Sequence, residues 1–209
     1  MIKIYSPLGA PLIASSAGRC YLLLEELGIP YETVGVDMKN GAHKAAPYLE
    51  INPNGKVPTM NDDGFILWES MAINDYLAKK HKPELLGKDL KDQSSVTKWN
   101  YWVIGEYQLH LVQILVQNRM PEEKRNNEAI ANAKAKLNDL HKMLDKEIKG
   151  NTYLVGSSYT LADLHVSLSV SVCMMFGFDL TQTPNLDKYV KEMISRPAFQ
   201  KLQSQKPKH

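Results

Sequence analysis

Apolar residues fall in short runs over the first third of the chain and then recur at helical spacing. Residues 2–5 and 31–36 read as strands. Between them, residues 17–27 put Cys20, Leu23, Leu24 and Leu27 on one face, which predicts a helix stopped by Gly28. The stretch from Ser6 to Ser15, with Pro7, Gly9 and Pro11, reads as a loop. Residues 42–50 read as a short irregular helix. Thr59-Met60-Asn61 and Phe65-Ile66-Leu67-Trp68 flank the turn Asp62-Asp63-Gly64 as two strands, and residues 71–81 read as a helix. The order βαβ, then α, then ββα is that of a thioredoxin-like sheet, a parallel unit followed by an antiparallel hairpin.

The pattern changes after His81. Residues 82–91, with Pro83 and Gly87, read as a linker, and from Gln93 only helical periods remain. Residues 96–118 predict one long helix carrying Trp99, Trp102, Val103, Tyr107 and Leu111. Residues 122–149 predict a second, with a stripe of Ala133, Leu137, Leu140, Leu144 and Ile148 ended by Gly150. Thr160-Leu161-Ala162-Asp163 reads as a capping box for a helix over 161–176, apolar nearly all round and therefore expected at the centre of a bundle. Residues 186–195 and 197–202 predict two short helices. The fold class is thus α/β plus all-α: a thioredoxin-like domain over 1–81 and a helical bundle over 89–209.

Composition narrows the classes. Hydrophobic residues make up 44% and charged residues 23% of the 209, as in ordinary globular proteins. A net charge of +2 argues against a nucleic-acid footprint, and the locally basic tail 201–209 reads as solvated. No apolar run approaches the ~20 residues of a membrane span. Met1-Ile2-Lys3-Ile4-Tyr5 leads straight into a strand, without the pattern of a signal peptide. Cys20 and Cys173 form no CxxC pair and fit a reducing, cytoplasmic setting; each reads as a small apolar core residue. His81, His110, His141 and His165 show no ligand spacing, so no metal is expected.

The candidate chemistry lies in two segments, Asn52-Pro53-Asn54-Gly55-Lys56-Val57-Pro58 and Glu69-Ser70. Val57-Pro58, just before a strand, is a place for a cis bond that leaves the Val57 backbone free to pair with an extended peptide. Ser70 stands where a helix opens, a position that attracts a carboxylate. Strand-like pairing beside an anion site predicts a small peptide ligand with a free carboxylate.

The chain resembles the cytosolic glutathione transferases over nearly all its length, in particular the plant phi and fungal nitrogen-regulator-like branches. The resemblance is carried by Leu24-Glu25-Glu26-Leu27-Gly28-Ile29-Pro30-Tyr31, by Gly41 to Leu49, by Asn52 to Pro58, and by Trp68-Glu69-Ser70-Met71-Ala72-Ile73. Tyr153-Leu154-Val155-Gly156 before Thr160-Leu161-Ala162-Asp163, and Arg196-Pro197-Ala198, add to it. It implies glutathione as co-substrate. Ser70 and its N–H would take the γ-glutamyl carboxylate and Glu69 the ammonium. Val57 would pair with the cysteinyl part, and His43, Lys44 and Lys56 would face the glycine carboxylate. It also implies a homodimer, a small apolar electrophile as second substrate, a detoxifying role, and a second-substrate pocket to which Trp102 and Tyr107 contribute. Asn54 stands where phi members often carry an aromatic that plugs into the partner, so the dimer clasp is expected to differ.

The thiol-activating group is less direct. The family's serine, cysteine or threonine falls on Ala14, in a loop longer than the family's usual one, and Ser15 and Ser16 follow as the candidate catalytic donors. Tyr5 is a weaker candidate. Chemically, one donor suffices. Half-ionising a thiol of pKa about 8.5 at pH 7 takes ~2 kcal/mol, and one hydrogen bond to a charged acceptor contributes ~1.5–3 kcal/mol. The expected activity is transfer of the thiolate to an electrophile, or a related glutathione-dependent peroxide or disulfide reduction. The alternative is a transferase-like binding or scaffolding module with little or no catalysis, which Ala14 motivates and the complete set of ligand contacts opposes.

Overall fold

The computed structural model describes residues 1–205, in two units. In the first, a four-stranded sheet runs in the order β2-β1-β3-β4, with β1 at Ile2–Pro7, β2 at Tyr31–Val36, β3 at Thr59–Asp62 and β4 at Phe65–Trp68. β1 pairs β2 in parallel; the β1–β3 and β3–β4 pairs are antiparallel. Helix α1 (Gly18–Leu27) makes the crossover and ends on Gly28 in the left-handed region at φ 65°, where its N–H reaches the Leu24 and Glu25 carbonyls. Residues 42–50 fold as a 3₁₀ turn, Ala42–Lys44, and a single turn, α2 (Ala46–Leu49). Helix α3 spans Ser70–His81.

The register puts four connections at one end of this sheet. Pro7 lies beside Val36, Tyr5 faces Thr59, and Thr59 faces Trp68. The loops after β1, after β2, before β3 and after β4 therefore leave from the same edge, bringing together segments far apart in sequence.

The second unit, Gly87–Ile194, is helical. Asp89 caps α4 (Leu90–Trp102) by accepting from the Lys91 and Asp92 N–H groups. The helix therefore begins inside the stretch expected to be linker, which shortens to a 3₁₀ turn at Pro83–Leu86. The expected 96–118 helix is interrupted by a π-turn at Val103–Tyr107 before α5 (Gln108–Asn118). Asn126, whose Oδ1 accepts from the Ala129 N–H at 2.9 Å, starts α6 (Asn127–Ile148), so Glu122–Lys124 is a separate turn. Helix α7 (Leu161–Met175) is buried from Leu161 to Cys173, as its all-round apolar character predicts. Its buried Ser167, Ser169 and Ser171 return their hydroxyls to carbonyls of the preceding turn. Asp163 accepts from the Thr160 N–H and hydroxyl, the Leu154 N–H and the Tyr189 hydroxyl, completing the capping box. Helix α8 covers Pro184–Ile194.

The division of the chain differs from the expected 1–81 and 89–209. The first unit runs to Leu86, and the chain rejoins it over residues 195–205. Helix α9 (Pro197–Ser204) packs on α1, burying Ala198, Phe199 and Leu202. Arg196 grips Glu26 with two bonds of 2.6 and 2.8 Å, and Lys201 pairs with Glu25 at 2.6 Å. Among the described residues, no helix is long and apolar enough to cross a membrane.

Candidate functional site

The segment before β3 is built from within. Tyr48, on α2, donates its hydroxyl to the Lys56 carbonyl at 2.7 Å, and Asn52 Nδ2 donates to the same oxygen at 2.8 Å. Thr59 Oγ1 accepts from Asn52 Nδ2 and meets the Tyr48 hydroxyl, each at 3.0 Å. Asn52 Oδ1 takes the Asn54 N–H at 3.0 Å and closes the turn. Burial raises the Tyr48 phenol's pKa, so it remains a protonated donor. The Val57-Pro58 bond is cis. The Val57 N–H and C=O make no hydrogen bond among the described residues, so the backbone expected to pair with a peptide is open.

The turn at Ala42–Lys44 closes on this segment. Lys44 Nζ donates to the Asn54 carbonyl at 3.1 Å. Gly55, at φ 56°, leaves no room for a side chain: a Cβ there would lie 2.6 Å from the His43 oxygen and 2.9 Å from Lys44 Nζ. His43 Nδ1 is buried without a partner among the described residues, a polar atom left to be satisfied. Lys56 is exposed beside it. The structure thus brings His43, Lys44, Lys56 and Val57 to one corner.

Across the same edge, Glu69 holds φ 74° and ψ 113°, a backbone that a non-glycine residue rarely takes. It makes no side-chain cap, and Ser70 is the first helical residue rather than the cap. Ile73 is the first residue of α3 whose N–H finds a helical acceptor, the Glu69 carbonyl at 2.9 Å. The N–H groups of Ser70, Met71 and Ala72 therefore point out of the helix end as an anion site. Ser70 is buried, and Arg19 Nη1 approaches its Oγ at 3.5 Å. Burial pulls the Arg19 pKa down to about 10, which leaves it cationic at neutral pH. The sequence signal was a charged residue opening the apolar stretch Cys20 to Leu24, although its partner Ser70 could not be read from it.

The loop after β1 carries Ser15 and Ser16. The 3₁₀ turn Leu12–Ala14 runs against the start of α1, where a Cβ on Gly18 would lie 2.8 and 2.9 Å from the Ile13 and Leu12 oxygens. The Ser15 carbonyl accepts from the Gly18 N–H at 2.8 Å. Neither serine caps α1, whose cap residue is Ala17, and both hydroxyls are half-buried without hydrogen bonds among the described residues. Tyr5 packs edge-on against Tyr48 with ring centres 6.1 Å apart. Cys20 is buried and its thiol is pushed up to about 12 by burial, as befits a core residue.

In the helical unit, Trp102 is half-buried between Trp99 and Tyr107, with ring centres 5.4 and 5.6 Å away. Tyr107 departs from the expectation that it lines an open pocket. It is fully buried, with its hydroxyl 2.7 Å from His141 Nε2 and 3.0 Å from Cys173 Sγ, so its surface is spent on the core of its own unit. Leu109, Val112 and Val116, which the sequence reading passed over, are exposed on α5; a helical-wheel view opposite Leu111 and Ile114 would have found them. Among the described residues, no three His, Cys, Asp or Glu side chains gather as a metal site.

With this geometry in view, two family models match the chain: "Glutathione S-transferase, N-terminal domain" over residues 12–79 and "Glutathione S-transferase, C-terminal domain" over residues 107–197. Glutathione S-transferase F13 of Arabidopsis thaliana is 31% identical over 201 residues, which is 91% of each chain. Among solved structures, glutathione S-transferase-I bound with lactoylglutathione superposes with a TM-score of 0.86 at 27% identity, covering 97% of this chain and 98% of that one. Ure2p in complex with S-hexylglutathione reaches 0.84 at 25% identity, over 97% of each chain.

Proposed function

The chain belongs to the glutathione S-transferase family, in its phi and Ure2p-like branch, and on that premise we infer that it conjugates glutathione to small, largely apolar electrophiles. The observation that carries this reading is the row of unsatisfied polar groups along one sheet edge: His43 Nδ1, the Val57 backbone, and the first N–H groups of α3 with cationic Arg19 behind Ser70. Their spread suits a peptide with a carboxylate at each end.

In this reading Ser70, its N–H and the α3 terminus hold the γ-glutamyl carboxylate, with Arg19 adding positive charge behind them. Glu69, turned outward by its unusual backbone, takes the ammonium. Val57 pairs with the cysteinyl unit as an added strand. His43, Lys44 and Lys56 meet the glycine carboxylate. The sulfur then lies toward the loop after β1, where Ser15 or Ser16 donates to the thiolate and lowers its pKa. The thiolate attacks the electrophilic carbon: a C–S bond forms, and either a leaving group departs with its electron pair or, in an addition, the product takes up a proton. The same activated thiolate also suits glutathione-dependent peroxide or disulfide reduction. Such chemistry fits a detoxifying role.

Two free, buried cysteines suit a reducing compartment, the cytoplasm. Exposed Phe65 on edge strand β4, and Leu109, Val112 and Val116 on α5, support a homodimer that covers apolar surface. Light scattering should give twice the mass of the chain.

Retention on immobilised glutathione, followed by ultraviolet titration of the bound thiol, tests the activity. Binding below millimolar concentration with a thiol pKa lowered by about one unit or more is expected. No binding at millimolar glutathione would sink the reading. Binding without a lowered pKa would favour the scaffold instead.

A further inference from the structure

The Lys56–Val57 peptide is gripped from one side only. Its carbonyl oxygen accepts from the Tyr48 hydroxyl at 2.7 Å and from Asn52 Nδ2 at 2.8 Å, which occupies both lone pairs. The other Asn52 amide proton goes to Thr59 Oγ1, and the Thr59 hydroxyl proton is left for the Tyr48 oxygen, both at 3.0 Å. Asn52, Thr59, Tyr48 and the Lys56 carbonyl thus close a ring in which the direction of each proton is fixed. All three side chains are buried, so bulk solvent does not compete for these bonds.

A trans peptide unit is planar, with its C=O and N–H pointing in opposite directions. Lys56–Val57 is such a unit. Drawing the Lys56 oxygen into the ring therefore aims the Val57 N–H away from it, toward the open edge where it has no partner among the described residues. Asn52 also holds the turn through the Asn54 N–H, so its loss would disturb more than this one peptide. Among the described residues, the Tyr48 hydroxyl acts only within this ring, on the Lys56 carbonyl, Thr59 and the neighbouring Asn52 amide.

We propose that Tyr48 is a positioning residue for glutathione: through this ring it sets the tilt of the Lys56–Val57 peptide, and with it the N–H offered to the cysteinyl carbonyl. Tyr48 does not itself touch the ligand. The inference rests on the glutathione reading of the site.

Tyr48→Phe removes the hydroxyl and keeps the ring that packs on Tyr5. The KM for glutathione should rise about five- to tenfold, the size of one hydrogen bond. The kcat and the pKa of the bound thiol should not change. In amide-resolved hydrogen exchange, the protection that glutathione confers on the Val57 N–H should fall by a similar factor, while protection of the Ser70 N–H persists. Thr59→Val opens the same ring from its other side and should reproduce the pattern, which keeps the test sound if Tyr48→Phe folds poorly. A lowered melting temperature with unchanged KM and Val57 protection in both variants overturns the inference. So does an equal loss of protection at Val57 and Ser70. Failure of the wild-type protein to bind glutathione at millimolar concentration overturns the underlying reading of the site instead.

Discussion

Ser15 and Ser16 offer adjacent hydroxyls, but their backbones are not held alike. The Ser15 carbonyl is tied to the Gly18 N–H at 2.8 Å, and Ser15 is extended at φ −123° and ψ 167°, so its side chain leaves from a fixed base. Ser15 is therefore the expected thiolate donor. Ser15→Ala should raise the pKa of bound glutathione by about 1–2 units, the equivalent of one charge-assisted hydrogen bond. Ser16→Ala should leave it within a few tenths. Ultraviolet titration of each variant decides; the reverse ranking would transfer the role to Ser16. At this scale the sequence was legible where a residue's role follows from chain-local chemistry, as with Val57 before Pro58. It was illegible where the role is made by a distant neighbour. Nothing in Gly18-Arg19-Cys20 says that the guanidinium will meet Ser70, and nothing in Tyr48 says that its hydroxyl will hold the Lys56 carbonyl.

Elements carry their own constraints, and the tightest is at the start of α1. Gly18 has no room for a side chain, because the obstructing atoms are the backbone oxygens of Leu12 and Ile13 rather than movable side-chain tips. Gly18→Ala should push the Leu12–Ala14 turn outward and carry Ser15 with it. The kcat should drop by about tenfold or more while glutathione affinity stays within twofold, because a donor displaced by a fraction of an ångström loses the thiolate, not the peptide. Unchanged kcat would show that the turn accommodates the methyl group. In the helical unit, Asp163 satisfies four donors, three of them in buried bonds. Asp163→Ala should cost on the order of 4 kcal/mol, read from the denaturant midpoint, by leaving those donors unpaired. That capping box was plain in Thr160-Leu161-Ala162-Asp163, since it is local. The π-turn was less so. Trp99, Val103, Tyr107 and Leu111 follow at four-residue steps, wider than the helical repeat, and the extra residue at Val103–Tyr107 lets all four stay on the buried face.

For the whole molecule, periodicity identified a thioredoxin-like part followed by helices, but gave no means of seeing the chain's end return to its first unit. Helix α9 has the same amphipathic character as α8; what assigns it to α1 is the pairing of Arg196 with Glu26 and Lys201 with Glu25 across most of the sequence. The same blindness to tertiary partners hid the buried cluster of the helical unit, which makes stability depend on pH. His141 lies against Tyr107 and Phe178, and burial pulls its pKa from 6.5 down to about 4. The native state therefore keeps this imidazole neutral, with Nε2 in hydrogen-bond contact with the Tyr107 hydroxyl 2.7 Å away. In the unfolded chain the imidazole regains its ordinary pKa and binds a proton first. Between pH 6.5 and about 4 the unfolded state holds the extra proton, so stability falls as the solution is acidified through that window. The loss from this one group is about 3 kcal/mol by pH 4. His141→Gln should be less stable at pH 7.5, where it gives up packing, yet should lack this part of the acid slope. Chemical denaturation of both proteins from pH 7.5 to 4 reads the difference directly. Parallel curves would mean that the acid sensitivity of the fold lies elsewhere than in the Tyr107–His141 pair.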